Sequence, residues 1–281
     1  MDEKRLNELR RYSTIIRKHI IEAVYRAESG HPGGSLSSAD IVTVLYFNEM
    51  RVDPKNPGWE DRDRFVLSKG HCSPALYGAL AEKGFFPKEE LLKFRHIESF
   101  LEGHPSMRYV PGVDMSTGSL GQGISAAVGM AIAGKLDKKD YYVYALLGDG
   151  EIQEGQVWEA LMSAAHYKLD NLIAFLDYNH LQIDGDIREV MSPEPVGDKI
   201  RAFGWNVVTI DGHDYFKIIE AISKAKQSDG KPTMIIAETI KGKGVSFMEN
   251  QAGWHGSPPN KEQRDKAIAE LDEVLAGMGG E

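Results

Sequence analysis

Four short apolar runs, at 141–147, 172–177, 205–210 and 233–238, constrain this chain more than any other feature. Each is rich in Val, Ile, Tyr or Phe and has the length of a buried strand. Stretches of helical character separate them, with 158–167 between the first two runs and 215–226 between the last two. Strand and helix in alternation predict an α/β fold, a predominantly parallel sheet with helices on both faces. The chain has 281 residues, and large α/β domains run to this length, so residues 1–281 are expected to form one such domain. An amino-terminal helix precedes it, and a carboxy-terminal helix leads to a loose, linker-like glycine tail at 276–281.

The amino-terminal helix is legible from Leu6, Leu9, Tyr12, Ile16, Ile20, Ala23, Val24 and Ala27, which follow a three-to-four spacing and stop at Ser29-Gly30. Ser29-Gly30-His31-Pro32-Gly33-Gly34 then concentrates helix breakers around one histidine. Ser37 or Ser38 is the expected cap of the next helix, which runs through Leu45 and leaves His31 in a stiff loop. The net charge of -9 argues against a nucleic-acid partner and requires local donors for any phosphate-bearing ligand. No apolar stretch approaches the roughly 20 residues of a membrane span, and the charged opening segment lacks the features of a secretory signal. A cytoplasmic protein is expected. Cys72 is the single cysteine, so a metal site has to use His, Asp, Asn or backbone oxygen.

Ligands of parallel sheets bind beyond the carboxyl ends of the strands, where Gly148-Asp149-Gly150 and Asp177-Tyr178-Asn179 both fall. The interval between Gly150 and Asn179 suits one strand-helix-strand repeat, which puts the two strand ends side by side. A carboxylate, an amide oxygen and a carbonyl from the loop after Asn179 make a hard-oxygen site for Mg2+ or Ca2+ carrying diphosphate oxygens. Read separately, the same residues are a turn and a strand-end cap. The loop from Gly118 to Gly123 lets a flat ring or a phosphate approach the backbone, or serves tight packing of the Ala-rich helix that follows at 125–133. His31, His71, His104 and His255 each stand beside Gly or Pro in loop contexts, and the four together point to a site. His19, His96, His166, His180 and His213 are read as structural.

Gly148-Asp149-Gly150, Gln153-Glu154-Gly155, Trp158-Glu159-Ala160, Asn171-Leu172-Ile173 and Asp177-Tyr178-Asn179 resemble the thiamine diphosphate motif of transketolases. The likeness continues through Ser29-Gly30-His31-Pro32-Gly33, Leu67-Ser68-Lys69-Gly70-His71, Glu102-Gly103-His104-Pro105, Thr117-Gly118-Ser119-Leu120-Gly121-Gln122-Gly123 and His255-Gly256, in the family's order. It implies a thiamine diphosphate-binding fold, with this chain as the domain that binds the diphosphate. Asp149, Asn179 and the carbonyl of Leu181 would hold the metal, and His71, Gly150 and His255 would contact the diphosphate. Gly118, Leu120 and Ile183 would line the cofactor, with an ordinary core role the alternative for Ile183. Lys243 would add a cation, with a plain surface role as its alternative. His31, His104 and His255 would face the sugar. Glu154 and Glu159 would lie at a subunit interface, where the family links two cofactors through glutamates.

The glutamate that activates the cofactor's aminopyrimidine belongs in this family to a pyrimidine-binding domain with no counterpart in this sequence. The resemblance therefore implies a partner subunit carrying that domain, in a heterotetramer with two copies of each chain. The implied activity is transfer of a two-carbon ketol unit from a ketose phosphate to an aldose phosphate. An α subunit of a 2-oxo acid dehydrogenase shares the cofactor motif and the split architecture, but the loop histidines favour the sugar chemistry. A catalytically silent cofactor-binding protein is the third reading.

Overall fold

A computed structural model describes residues 2–278. Helix α1 (Glu3–Ala27) begins where the Asp2 side chain accepts from the Arg5 N–H, and it ends at Glu28, whose left-handed φ of 48° turns the chain out of the helix. Its buried face includes Leu9, Ile16, Ile20 and Val24, as the spacing predicts. Helix α2 (Pro32–Val44) starts earlier than expected, because Pro32 takes the first helical position, where its missing N–H costs nothing. Ser37 and Ser38 are therefore interior residues and not caps. Ser38 Oγ donates to Gly34 O at 2.6 Å, and Ser37 Oγ donates to Asp177 Oδ2 at 2.7 Å. His31 occupies the cap position and shares one edge of the site with the first turn of α2.

The main sheet has the order β1-β2-β3-β7-β6 and is parallel throughout. Its strands are β1 (Arg64–Leu67), β2 (Val143–Gly148), β3 (Leu172–Tyr178), β6 (Asn206–Asp211) and β7 (Thr233–Glu238). Two-residue strands β4 (Leu181–Gln182) and β5 (Gly185–Asp186) form a small antiparallel hairpin after β3. Four strands match the apolar runs to within two residues. The edge strand β1 was not anticipated, because four residues between charged segments carry too little pattern.

Alternation along the strands divides the interior into two cores. Tyr144, Leu146, Ile173 and Phe175 pack on one side, with α1, α2, α3 (Ser73–Lys83), α8 (Tyr215–Ala225) and α9 (Lys261–Gly277). Val143, Ala145, Leu147, Leu172, Ala174 and Leu176 pack on the other, with α4 (Gln122–Leu136), α5 (Gly155–His166) and α7 (Val196–Ala202). The short helix α6 (Ile187–Met191) follows the hairpin. Strands buried on both faces need no polar side, which explains why the central runs are continuously apolar. Helix α9 opens with a capping box made by Asn260 and Gln263. It continues through Gly277, so residues 276 and 277 are helical and not part of a loose tail. The rest of that expected tail, from 279 to 281, lies outside the described residues. Among the described residues no helix is long and apolar enough to cross a membrane.

Candidate cofactor and metal site

Parallel pairing brings Gly148 opposite Asp177, so the loops after β2 and β3 leave the sheet side by side. They open into a cavity of about 230 Å³ lined by residues from both loops, from α2 and from the segments around 69, 118, 241 and 255. Asp149 lies on its floor. Its Oδ1 accepts from Gly150 N at 2.8 Å and its Oδ2 from His180 N at 2.5 Å. Burial, with the nearby Asp177 charge, pushes the Asp149 carboxyl up to about 6.

Asn179 is oriented from below. Its Nδ2 donates to Asp177 Oδ2 at 3.2 Å, which fixes the amide so that Oδ1 lies on the side of Leu181. Asp177 is completely buried and also accepts from Ser37 Oγ, Thr239 Oγ1 and the Lys69 ammonium. Burial pushes the Asp177 carboxyl up, but Lys69 and these hydrogen bonds hold it below its ordinary value. Lys69, itself buried, donates in addition to Gly34 O at 2.9 Å.

Three histidines cluster above this floor. The rings of His31, His71 and His255 stand 5.1 to 5.4 Å apart. Burial, followed by the charge of Arg95, lowers His31 to about 4, and burial, followed by Lys241, lowers His255 to about 3. His71 is likewise held well below its ordinary value, first by burial and then by Lys69. All three are neutral near pH 7. Lys241 Nζ donates to Leu181 O and to His255 Nδ1, each at 2.9 Å. The His255 proton therefore sits on Nε2, where it is a donor. His104 is exposed and lies against Gly118, where an added Cβ would come within 3.0 Å of its ring at a left-handed φ of 153°.

The expected residues are not all brought together. His31, His71, Gly118, Leu120, Asp149, Gly150, Asn179, Leu181, Ile183 and His255 line the cavity. Ile183 is 68% exposed at the mouth, so it is not an ordinary core residue. Glu154 and Glu159 are exposed outside the cavity, Glu154 with its Cβ over Gly121. Lys243 is not a cavity residue. The left-handed turn at Gly242, with φ of 81°, sends Lys241 inward, whereas Lys243 approaches Glu249 at 3.4 Å. Sequence reasoning missed Lys69, Glu151, Gln182 and Lys241. Glu151 is buried and joins three loops, accepting from Ser68 Oγ at 2.5 Å, Gly121 N at 2.9 Å and Gly148 N at 3.0 Å. Lys69 stands within a motif already described and Lys241 two residues before Lys243, but which lysine turns inward is decided by backbone geometry.

Among the described residues no group of three or more His, Cys, Asp or Glu could hold a metal ion. The oxygens of Asp149, Asn179 and Leu181 are a set that a hard dication accepts without such a group. Two buried polar atoms of residues that line the cavity, His31 Nδ1 and Gln182 Nε2, have no protein partner, so the lining holds hydrogen-bonding capacity that the protein itself does not use.

The sequence profile of a family described as the thiamine diphosphate binding domain of transketolase matches residues 9–272. The chain is 49% identical over 272 residues to the 6-deoxy-6-sulfo-D-fructose transketolase subunit of Clostridium sp. (strain MSTE9), covering 97% of this chain and 98% of that one. It is 48% identical over 259 residues to an apulose-4-phosphate transketolase subunit of Phocaeicola vulgatus, covering 92% of each. Among solved structures, the transketolase of Campylobacter jejuni superposes with a TM-score of 0.90 at 38% identity, over 97% of this chain and 43% of that one. The chain thus spans less than half the length of that enzyme.

The Lys69–Asp177 pair generates a stability test. Removing one partner of a buried ion pair leaves an uncompensated charge, so Lys69→Met is expected to destabilise the fold by about 3–5 kcal/mol. Urea unfolding monitored by circular dichroism measures it. A loss under about 1 kcal/mol would show that Asp177 does not depend on Lys69.

Proposed function

The chain belongs to the transketolase family as its thiamine diphosphate-binding domain, and on that premise we propose that it is the diphosphate-holding subunit of a two-chain transketolase. The oxygen set of Asp149, Asn179 and Leu181 beside three neutral histidines carries this reading. That set fits Mg2+ or Ca2+, and the ion would neutralise the diphosphate in a protein of net charge -9. His71, the Nε2–H of His255 and the ammonium of Lys241 are the donors left to meet diphosphate oxygens. Gly118, Leu120 and Ile183 give the rest of the cofactor an edge to lie against.

When bound, thiamine diphosphate supplies the nucleophilic carbon and the electron sink. The chain's own task is then to place donors and move protons at the sugar carbonyl and hydroxyls. His31, His104 and His255 are assigned this work. His31 and His255 are neutral near pH 7, and a neutral imidazole offers one donor and one acceptor nitrogen. The substrates are a ketose phosphate and an aldose phosphate, between which a two-carbon ketol unit passes.

A partner subunit carries the pyrimidine-binding domain and its activating glutamate, and the simplest closed assembly is a heterotetramer of two copies of each chain. Two relatives of this chain's length are named as transketolase subunits, which supports the split. Exposed Glu154 and Glu159 are available for the subunit interface. The one cysteine, buried and unpaired, suits the reducing cytoplasm. The matches lend no support to a 2-oxo acid dehydrogenase subunit.

Asp149→Asn removes the only charged ligand of the proposed metal. It is expected to weaken metal-dependent binding of thiamine diphosphate by at least about tenfold, a loss of roughly 1.4 kcal/mol. Fluorescence titration with and without Mg2+ is the measurement, and unchanged affinity with unchanged metal dependence would remove Asp149 from the site.

His104→Ala is expected to lower kcat or raise the sugar KM by about 10²-fold or more in the assembled enzyme, with cofactor affinity nearly intact. His71→Ala should chiefly weaken cofactor binding. Steady-state kinetics at saturating cofactor separate the two, and loss of cofactor binding in His104→Ala with normal catalysis would reverse the assignment.

A further inference from the structure

Lys241, one of the two lysines that line the cavity, is flanked in the chain by contacts from a buried polar cluster that does not itself line the cavity. Asp40, on α2 and 3% exposed, accepts four hydrogen bonds. They come from Arg17 Nη1 at 2.9 Å, Arg17 Nη2 at 2.6 Å, His213 Nδ1 at 2.7 Å and Tyr215 OH at 2.7 Å. Burial pushes the Asp40 carboxyl up, and Arg17 and His213 together more than offset it, so Asp40 stays ionised. The acceptor capacity of the carboxylate is used in full.

Arg17 and His213 each make one further hydrogen bond, and both bonds end on the same short backbone segment. His213 Nε2 accepts from Ile240 N at 2.9 Å, which puts the imidazole proton on Nδ1 and directs it at Asp40. Arg17 Nε donates to Lys243 O at 3.0 Å. These two contacts bracket Lys241 in the chain. Between them the backbone turns through Gly242, and Gly244 runs so close to Arg17 that an added Cβ would lie 2.8 Å from its Cδ. The Lys241 ammonium is thereby delivered to Leu181 O and His255 Nδ1.

A buried ion pair is weak evidence for stability, since apolar residues of similar shape often serve as well. Both outward bonds of this one grip the flanks of a residue that points into the site. We infer that Asp40 is a positioning residue for the Lys241 ammonium, acting through Arg17 and His213, and that it raises affinity for the diphosphate. The inference rests on the cavity being the diphosphate site.

The test is a double-mutant cycle on this chain assembled with its partner subunit, with thiamine diphosphate titrated calorimetrically in saturating Mg2+. Asp40→Asn is expected to raise Kd about tenfold when Lys241 is present and less than about twofold in the Lys241→Met background. The thermal melting shift should be the same in both backgrounds, because Lys241 is not part of the cluster's own bonding. His213→Ala, which removes the link to Ile240 and leaves the Arg17–Asp40 pair, should show the same dependence on Lys241, and it carries the test if Asp40→Asn does not fold. Normal wild-type binding with equal losses in both backgrounds would overturn the positioning role alone. Absence of any wild-type binding would instead overturn the diphosphate reading and this inference with it.

Discussion

Asp177 carries a full charge at the end of the central strand with no access to water, and the site is assembled around the groups that answer that charge. An isolated carboxylate there would be prohibitively costly, so donors must converge on it. Lys69 arrives from the segment after β1, Ser37 from α2 and Thr239 from the segment after β7. Asn179 completes the set, and its amide is oriented as a result. One buried charge therefore ties three separate pieces of chain to the strand end and aims an oxygen ligand there. A parallel sheet makes this convergence natural, because all its strands end on the same edge.

Beyond this anchor the electrostatics of the cavity run against those of the whole molecule. The chain is acidic overall, yet its cavity offers Lys241, the concealed charge of Lys69 and three imidazoles held neutral first of all by burial. Neutral histidines present N–H groups without the desolvation cost of more buried cations. Glu151 contributes through its reach across three loops, which ties the glycine loop before α4 to the end of β2. The result is a concave surface suited to the anion and dication proposed for it.

The sheet was legible where strands are buried on both faces, since 172–176 and 234–237 must then be apolar throughout. The edge strand β1 was not, because half its pairing partners are absent and its apolar run is brief. Asp149 and Asn179, which line the cavity, could be picked out from strand-end position, and His31, His71 and His255 from their glycine and proline neighbours, which pointed equally to His104 outside the lining. Lys241 and Lys243 could not be told apart, because their directions depend on a single left-handed turn at Gly242. Pro32 sets the start of α2 at its own position, which moved the expected caps Ser37 and Ser38 inside the helix and left them to serve Asp177 and Gly34. Long-range partners of buried polar groups, such as Lys69 with Asp177, carry no local signature at all.

On the proposed reading, the cavity is half of a site whose other half would come from a partner subunit. Ketol transfer assayed for the purified chain, for the partner and for their mixture, with mass followed in solution, decides whether the site is divided in this way. A divided site predicts a folded chain with no activity by itself, no activity from the partner, and transfer only in the mixture as the two assemble. Full activity from this chain alone, at a rate unchanged by the partner, would contradict it.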